Sequence, residues 1–280
     1  MKKSRTYSFC VIIVVYLLAT MAGIFTYREV QDALPSIWAL FVADVVATVL
    51  TWAFGLYYRN VSVYDPYWSV APPVMLALYA TQVASVTLPV LAMLAVVTVW
   101  AIRLTGNWAV TFMGLCHEDW RYTKYRNELP PVLFHLVNFA GLNMVPTIVV
   151  FLAMTPAIRL LEQAPEASLF TWVGAAMCLA AACIQYLADT TAHRFRREHP
   201  GEVCRSGLWK HGRHPNYFGE ILMWWGIWVQ SLVLPIDWTI SGAIANTLLF
   251  LCISIPLMEC RQLKNKPDYA QYRRETRMLI

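Results

Sequence analysis

Charged residues are scarce in this chain of 280 residues. Lys, Arg, Asp and Glu together make up 14% of it, whereas soluble domains carry about a quarter. The apolar class reaches 58%, and the mean hydropathy is +0.48. This balance argues against a soluble enzyme, a disordered protein and a nucleic-acid-binding arm. The net charge of +5 indicates a membrane surface and an anionic ligand as partners.

The sequence also has no CxxC pair, internal repeat, low-complexity tract or Gly/Ser linker. Its seven cysteines are divided between apolar stretches and polar loops, so they do not form the framework of a disulfide-stabilised domain. His211 and His214 have metal-ligand spacing, but no third or fourth ligand stands at a sensible distance. We therefore predict one helical membrane domain without a metal site.

Long apolar stretches predict a bundle of seven or eight transmembrane helices, because about 20 apolar residues span a bilayer as a helix. The predicted spans are residues 7–25, 34–58, 68–86, 88–102, 132–155, 169–188, 221–234 and 240–258. The third and fourth lie close enough to form one re-entrant pair. With the N-terminus in the cytoplasm, 20 of the 22 Lys and Arg lie on the cytoplasmic side. The positive-inside rule therefore predicts that both termini are cytoplasmic.

Three predicted cytoplasmic segments hold most residues capable of chemistry: 103–126, 189–220 and the tail 259–277. In the second, Arg213 and His214 precede Pro215, and a helix is expected to start there. Asn216 and Glu220 are four residues apart and share one face of that helix. A helix start offers free N–H groups to a phosphate, and arginines bind it in bidentate fashion. The alternative is that these cations only anchor helix ends to anionic lipid.

Four motifs carry a resemblance to a known family. They are GLWKHGRHPNYFGE at 207–220 followed by MWWGIW, HEDWRY at 117–122, DPYWSV at 65–70 and PDYAQYRRET at 267–276. Together they resemble the steroid 5-alpha-reductase-like membrane family, in its bacterial DUF1295 branch. The resemblance divides the chain into N-terminal transmembrane helices, 1–58, and a catalytic region, 59–280. It implies an all-α membrane bundle in a bacterial inner membrane that holds NADPH in a cytoplasm-facing cavity.

The resemblance also implies an activity and a cofactor site. The family reduces an activated C=C bond, typically an enone of a sterol or lipid, with hydride from NADPH. Asn216, Glu220, Asp189 and Arg103 match family positions on the cofactor side. The full predicted cofactor-binding set is Arg103, Asp189, Arg196, Arg197, Arg213, His214, Asn216 and Tyr272.

Departures from the family pattern concern the substrate side. Trp100 stands where steroid reductases have a Tyr that holds the substrate carbonyl, and Gln185 stands where an Asn is expected. Trp is a poor proton source. The predicted substrate contacts are Trp100, Tyr67 and Trp224, and the predicted catalytic residues are Tyr217, Asp65 and Glu220. Tyr217 is the favoured proton donor and Asp65 the second; Asp65-Pro66 is otherwise a helix cap.

Two other functions remain open. Membrane methyltransferases that use S-adenosylmethionine share an Arg-His-Pro-x-Tyr turn before a span and an acidic tail residue. Their paired glutamates are replaced here by Met258-Glu259-Cys260, and the arginine-rich segment 194–213 suits a phosphate-bearing cofactor better. A non-catalytic lipid-binding relative is the third reading, since a fold does not fix a function. The expected partners are a lipid or sterol-like substrate and membrane lipids, not nucleic acid.

Overall fold

The computed structural model describes residues 4–280, and this part of the chain is helical, with no strand in it. Gly212 and Arg277 form an isolated β-bridge. The α-helices are α1 (Arg5–Val30), α2 (Ser36–Tyr58), α3 (Tyr67–Ala80), α4 (Leu88–Thr111), α5 (Trp120–Glu128), α6 (Pro131–Leu136), α7 (Val145–Gln163), α8 (Leu169–Glu198), α9 (Pro215–Gln230), α10 (Ile240–Leu249), α11 (Ile255–Asn265) and α12 (Tyr269–Glu275). Two π-helical segments, Val137–Met144 and Phe250–Ser254, join α6 to α7 and α10 to α11.

Six helical stretches of the described chain are long and apolar enough to cross a membrane. They are Arg5–Val30, Ser36–Tyr58, Leu88–Thr111, Pro131–Gln163, Leu169–Glu198 and Ile240–Asn265. Large apolar side chains such as Leu17, Met21 and Phe25 are exposed on them, and in a bilayer these side chains contact lipid. The all-helical membrane class predicted from the sequence is therefore confirmed, with six candidate spans.

The two other predicted spans correspond to shorter helices. Residues 68–86 fall on α3, which has 14 residues and contains Pro72 and Pro73, and residues 221–234 fall mainly on α9, which has 16. The fourth predicted span is too short, because α4 continues to Thr111. Arg103 therefore lies inside α4 and does not end it.

The chain forms two compact units. The first comprises the described residues up to Thr81 together with Leu104–Phe151, and the second comprises Gln82–Arg103 with Leu152–Ile280. In the first unit, aromatic side chains of α1, α3 and α4 form much of the core; Tyr16 packs edge-on against Tyr67, and Phe9 against Trp108. The residues predicted for the cofactor lie in the second unit.

Glycines bring α8 and α9 into backbone contact within the second unit. A Cβ atom at Gly219 would lie 2.5 Å from Gln185 Cγ, and one at Gly226 would lie 2.7 Å from Cys178 Sγ. On the facing helix, a Cβ at Gly174 would lie 2.5 Å from Gly226 O. Small residues permit this approach of membrane helices, which packing and hydrogen bonds then hold together. The approach places Gln185 and Asp189 of α8 against the start of α9.

Candidate functional site: a buried polar cluster on α4, α8 and α9

Glu220 is the centre of a hydrogen-bonded cluster in the second unit. Its side chain is 3% exposed. Trp100 Nε1 and Gln185 Nε2 donate to Oε2, at 3.1 and 2.5 Å, and Trp224 Nε1 donates to Oε1 at 2.9 Å. The Trp100 and Trp224 rings also pack edge-on, with centroids 5.1 Å apart. A carboxylate is an acceptor with about four lone-pair directions, so it can accept all three hydrogen bonds, and the charge of Arg103 also acts on it.

Arg103 lies in the same unit, paired with Asp189. Its Nη1 donates to Asp189 Oδ2 at 3.0 Å, and the Arg103 side chain is 9% exposed. Asn216 Nδ2 lies 3.4 Å from the other oxygen of Asp189. Within this part of the described chain, Arg103 Nε and Nη2 and Gln185 Oε1 are buried without a hydrogen-bond partner. Buried polar atoms normally have partners, and leaving them without one costs about 1–3 kcal/mol each.

These atoms are available to bind a ligand. Two N–H groups of one guanidinium match two oxygens of a phosphate or carboxylate. The amide oxygen of Gln185 accepts from an N–H or O–H group. The residues of this site therefore fit a ligand that carries both an anionic group and a hydrogen-bond donor, which is the chemistry of a nucleotide cofactor.

Tyr217 lies beside the cluster, on another face of α9. Its ring is nearly parallel to that of His214, with centroids 5.4 Å apart, and 5.0 Å from the ring of Phe250. The Tyr217 backbone N–H donates to Asn216 Oδ1 at 3.1 Å, so the Asn216 side chain also caps the first turn of the helix. Tyr217, Asn216 and Glu220 thus lie in the first turns of α9, which begins at Pro215 as the sequence predicts.

Glu259 of α11 forms a second buried centre. Arg213 Nε and His214 Nε2 lie 2.8 and 3.2 Å from Oε1, and Arg273 Nε lies 3.0 Å from Oε2. Arg213 Nη1 also donates to the carbonyls of Arg273 and Thr276. Burial lowers the pKa of His214, although Glu259 opposes this. Arg213 and His214, predicted to bind the cofactor, are thus held by Glu259 and the tail.

The tail is fixed to the turn before α9 by main-chain contacts as well. The N–H groups of Arg213 and His214 donate to the carbonyls of Arg277 and Met278, at 2.9 and 3.1 Å. Tyr272 Oη donates to the carbonyl of Trp209 at 2.5 Å. The predicted cofactor ligand Tyr272 therefore closes over this turn.

Arg196 and Arg197 lie at the exposed end of α8. Arg196 Nε donates to the carbonyl of Ala192 in its own helix, at 3.1 Å. The Arg196 charge acts on the Asp189 carboxylate. The predicted contact of Arg196 and Arg197 with a cofactor phosphate stays a prediction.

Asp65 and Tyr67 lie in the first unit. Tyr122 Oη donates to Asp65 Oδ1 at 2.5 Å, and Tyr67 Oη donates to Asp44 Oδ1 at 2.7 Å. Burial raises the pKa of Asp65 to about 6, although Arg121 opposes this. Asp65 is therefore part of a polar network, and Pro66 directly precedes α3. The predicted catalytic role of Asp65 stays a prediction.

This network joins the DPYW and HEDWRY motifs. Asn60 Nδ2 donates to the carbonyls of Leu115 and His117, each at 3.0 Å, and the N–H of Asp119 donates to Ser62 Oγ at 3.1 Å. Sequence reasoning missed this pairing. The signal was the clustering of Asn, Ser and Asp beside a short turn, residue types that bond to backbone groups.

Gln185 and Glu259 were also missed as members of a site. Gln185 is a polar residue inside an apolar span, and Glu259 lies near the end of another; such residues face protein and mark functional positions in membrane proteins. Both were visible in the sequence, but their partners lie from 14 residues away, for Arg273 and Glu259, to 46 residues away, for Arg213 and Glu259.

The fold and this site define a polytopic helical membrane protein with buried carboxylates and a buried guanidinium in its second unit. The family model described as "Protein of unknown function (DUF1295)" matches residues 51–276. The chain therefore belongs to the DUF1295 family. It is also similar to an uncharacterized protein of Schizosaccharomyces pombe, 21% identical over 237 residues, which are 74% of this chain and 68% of that protein. No solved structure matches the chain at a significant level.

Proposed function

We propose that this chain is a membrane oxidoreductase that transfers hydride from NADPH to the conjugated C=C bond of a lipid or sterol-like enone. The observation that carries the proposal is the buried Arg103 guanidinium, whose Nε and Nη2 lack partners next to Asp189. The resemblance of the motifs to the steroid 5-alpha-reductase-like family supplies the type of reaction. In this proposal α3 and α9 complete an eight-helix bundle with both termini in the cytoplasm of a bacterial cell.

Each residue of the site has a separate role in the proposed binding of the cofactor. Arg103 would hold an anionic group of the cofactor, Asp189 fixes the guanidinium, and Asn216 and Gln185 would contact polar groups of the cofactor. When bound, NADPH supplies the hydride. Glu220 holds the indoles of Trp100 and Trp224, and in this proposal the two rings would form an apolar wall for a lipid substrate.

Tyr217 is the proposed proton donor for the product carbon. Trp100 is unsuited to that role, because an indole N–H is a poor proton source and this one already donates to Glu220. The parallel His214 ring fixes the Tyr217 ring.

One observation favours the methyltransferase alternative. Arg213, His214 and the tail carboxylate of Glu259 converge, and these are the motif elements shared with membrane methyltransferases. In this chain, however, three basic side chains already occupy that carboxylate. A non-catalytic lipid-binding relative is the third possibility.

Ligand-dependent stability separates these proposals. The detergent-purified protein is heated with NADPH, NADH or S-adenosylmethionine, beside Asn216→Ala and the exposed-site control Asn127→Ala. A ligand at about 100 times its dissociation constant adds about 2.7 kcal/mol. We expect stabilisation by NADPH that Asn216→Ala reduces and Asn127→Ala retains. Stabilisation by S-adenosylmethionine alone would overturn the proposal; no response, once a co-purified cofactor is excluded by mass spectrometry, would favour the non-catalytic relative.

A further inference from the structure

The first unit contains a cavity of about 400 Å³ that is separate from the proposed cofactor site. This volume lies within the range of small-ligand pockets. Its walls come from the last turn of α2, the residues just after it, α5 and the first turns of the span that begins at Pro131. The cavity therefore lies where two candidate membrane spans end, which is the depth of lipid headgroups.

Basic and polar side chains line one part of the cavity. They are Arg59, Arg126 and His135, with Asn138. None of the lining residues, all within the described chain, is acidic. Arg126 is held in place by Glu118, with Nη2–Oε1 2.7 Å and Nε–Oε2 3.2 Å, and its guanidinium lies 4.5 Å from the Phe134 ring centroid. Glu118 neutralises the charge of Arg126, so Arg59 carries the positive charge of the lining that favours an anion.

The backbone conformation of Arg59 fixes its position at the end of α2, in the lining of the cavity. It caps α2 in the left-handed conformation, with φ 52°, and its N–H donates to the Gly55 and Leu56 carbonyls. A non-glycine residue rarely adopts this conformation, and strained residues of this kind cluster at binding sites. Its side chain is exposed, as is that of His135, so both are accessible to a ligand.

The rest of the lining is apolar, and one part of it is distorted. Leu56, Val61 and Phe134 supply apolar surface. The π-helical segment Val137–Met144 begins in this wall, and Asn143 Nδ2 donates to the carbonyl of Asn138 at 2.7 Å and to its Oδ1 at 3.0 Å. π-helical turns are rare and frequent at functional sites. An occupant therefore meets both apolar and basic side chains.

We infer that this cavity binds an anionic phospholipid, with its phosphate at Arg59 and His135 and the start of an acyl chain along Leu56 and Phe134. The charge selects an anionic headgroup over a zwitterionic one. The apolar wall and the position at the span ends select a lipid over a soluble phosphate. The inference does not depend on the proposed reductase activity.

Lipid binding to the purified full chain tests this inference. Native mass spectrometry would compare phosphatidylglycerol and phosphatidylcholine with identical acyl chains, and glycerol 3-phosphate as the soluble anion. We expect phosphatidylglycerol to bind about tenfold more tightly than phosphatidylcholine, with no comparable binding of glycerol 3-phosphate. Arg59→Gln should weaken phosphatidylglycerol binding about tenfold, the worth of one charge-assisted hydrogen bond. The control Arg28→Gln removes the same charge at an exposed position of the same unit and should change it less than about twofold.

A second variant separates the cavity from general surface charge. Leu56→Trp fills the cavity without changing charge and should reduce phosphatidylglycerol binding as strongly as Arg59→Gln. If Arg59→Gln lowers the thermal midpoint of the protein without lipid, His135→Gln is used in its place. It should then weaken phosphatidylglycerol binding by the same factor of about ten. The inference would be overturned if Arg28→Gln and Arg59→Gln had equal effects, or if Leu56→Trp still bound phosphatidylglycerol fully. It would also be overturned if the two lipids bound equally, or if glycerol 3-phosphate bound with the same affinity as phosphatidylglycerol.

Discussion

Removal of the Glu220 carboxylate is the sharpest test of the buried cluster, because three separate donors depend on it. Trp100 and Gln185 donate to one oxygen and Trp224 to the other. Glu220→Ala leaves all three N–H groups without this acceptor. Glu220→Gln keeps one acceptor oxygen. It therefore retains the hydrogen bonds from Trp100 and Gln185 to one oxygen and loses the bond from Trp224 to the other.

The expected costs follow from these bonds. Hydrogen bonds measured inside membrane bundles average about 0.6 kcal/mol, whereas an unsatisfied buried donor in a soluble protein costs about 1–3 kcal/mol. Glu220→Ala should therefore lower the free energy of unfolding by at least about 2 kcal/mol, from three bonds at the smaller value. Glu220→Gln should cost about a third of that.

Reversible unfolding of the detergent-solubilised protein in increasing dodecyl sulfate measures both costs. Glu166→Ala, at an exposed position of the same unit, serves as the control and should cost less than about 0.5 kcal/mol. The loss in free energy of unfolding should be largest for Glu220→Ala, smaller for Glu220→Gln and smallest for the control. This order is expected when three donors share one acceptor. A cost for Glu220→Ala equal to that of the control would refute the reasoning.

Two further predictions concern packing and protonation. Gly219→Ala should lower the thermal midpoint, because its Cβ would meet Gln185 Cγ at 2.5 Å and overpacking costs about 1–3 kcal/mol; Gly106→Ala, with nothing within 4 Å, should leave it unchanged or raise it. Asp65 has a folded-state pKa of about 6, above its unfolded value of about 3.9, so the folded state binds the extra proton between these values. The free energy of unfolding should fall by up to about 2 kcal/mol as pH rises from 4 to 6, measured by denaturant titration. Asp65→Asn, which retains an acceptor for Tyr122, should remove this fall, and an unchanged profile would contradict the assignment.

The sequence predicts features that depend on local pattern. Apolar run length locates the six long spans, and the four-residue spacing of Asn216 and Glu220 predicts that they share one face of α9, which the structure shows to meet α8. The start of α9 at Pro215 follows from the preference of proline for the first helical turn. These features need only neighbouring residues, so a single sequence contains them.

The partners of the site residues could not be predicted in the same way. Trp100 is identified by its place in the family pattern, but its hydrogen bond to Glu220 joins residues 120 apart. The contact of Arg213 and His214 with the tail carbonyls uses main-chain atoms, which leave no residue-type signal. The length of α4 was underestimated, because Arg103 was taken as the end of a span, whereas its pairing with Asp189 allows a charged side chain to lie inside the helix.

The close contact of α8 and α9 has a mechanical consequence. Sliding of one helix past another requires space for side chains to change rotamer, but at Gly174, Gly219 and Gly226 the facing helix leaves no room even for a Cβ atom. This pair of helices therefore moves as one rigid unit, because a close-packed interface has few alternative arrangements. Asp189 and Asn216, on opposite sides of the interface, therefore keep a constant separation. Any opening that admits a bulky molecule to this unit must come from elements outside the α8–α9 pair.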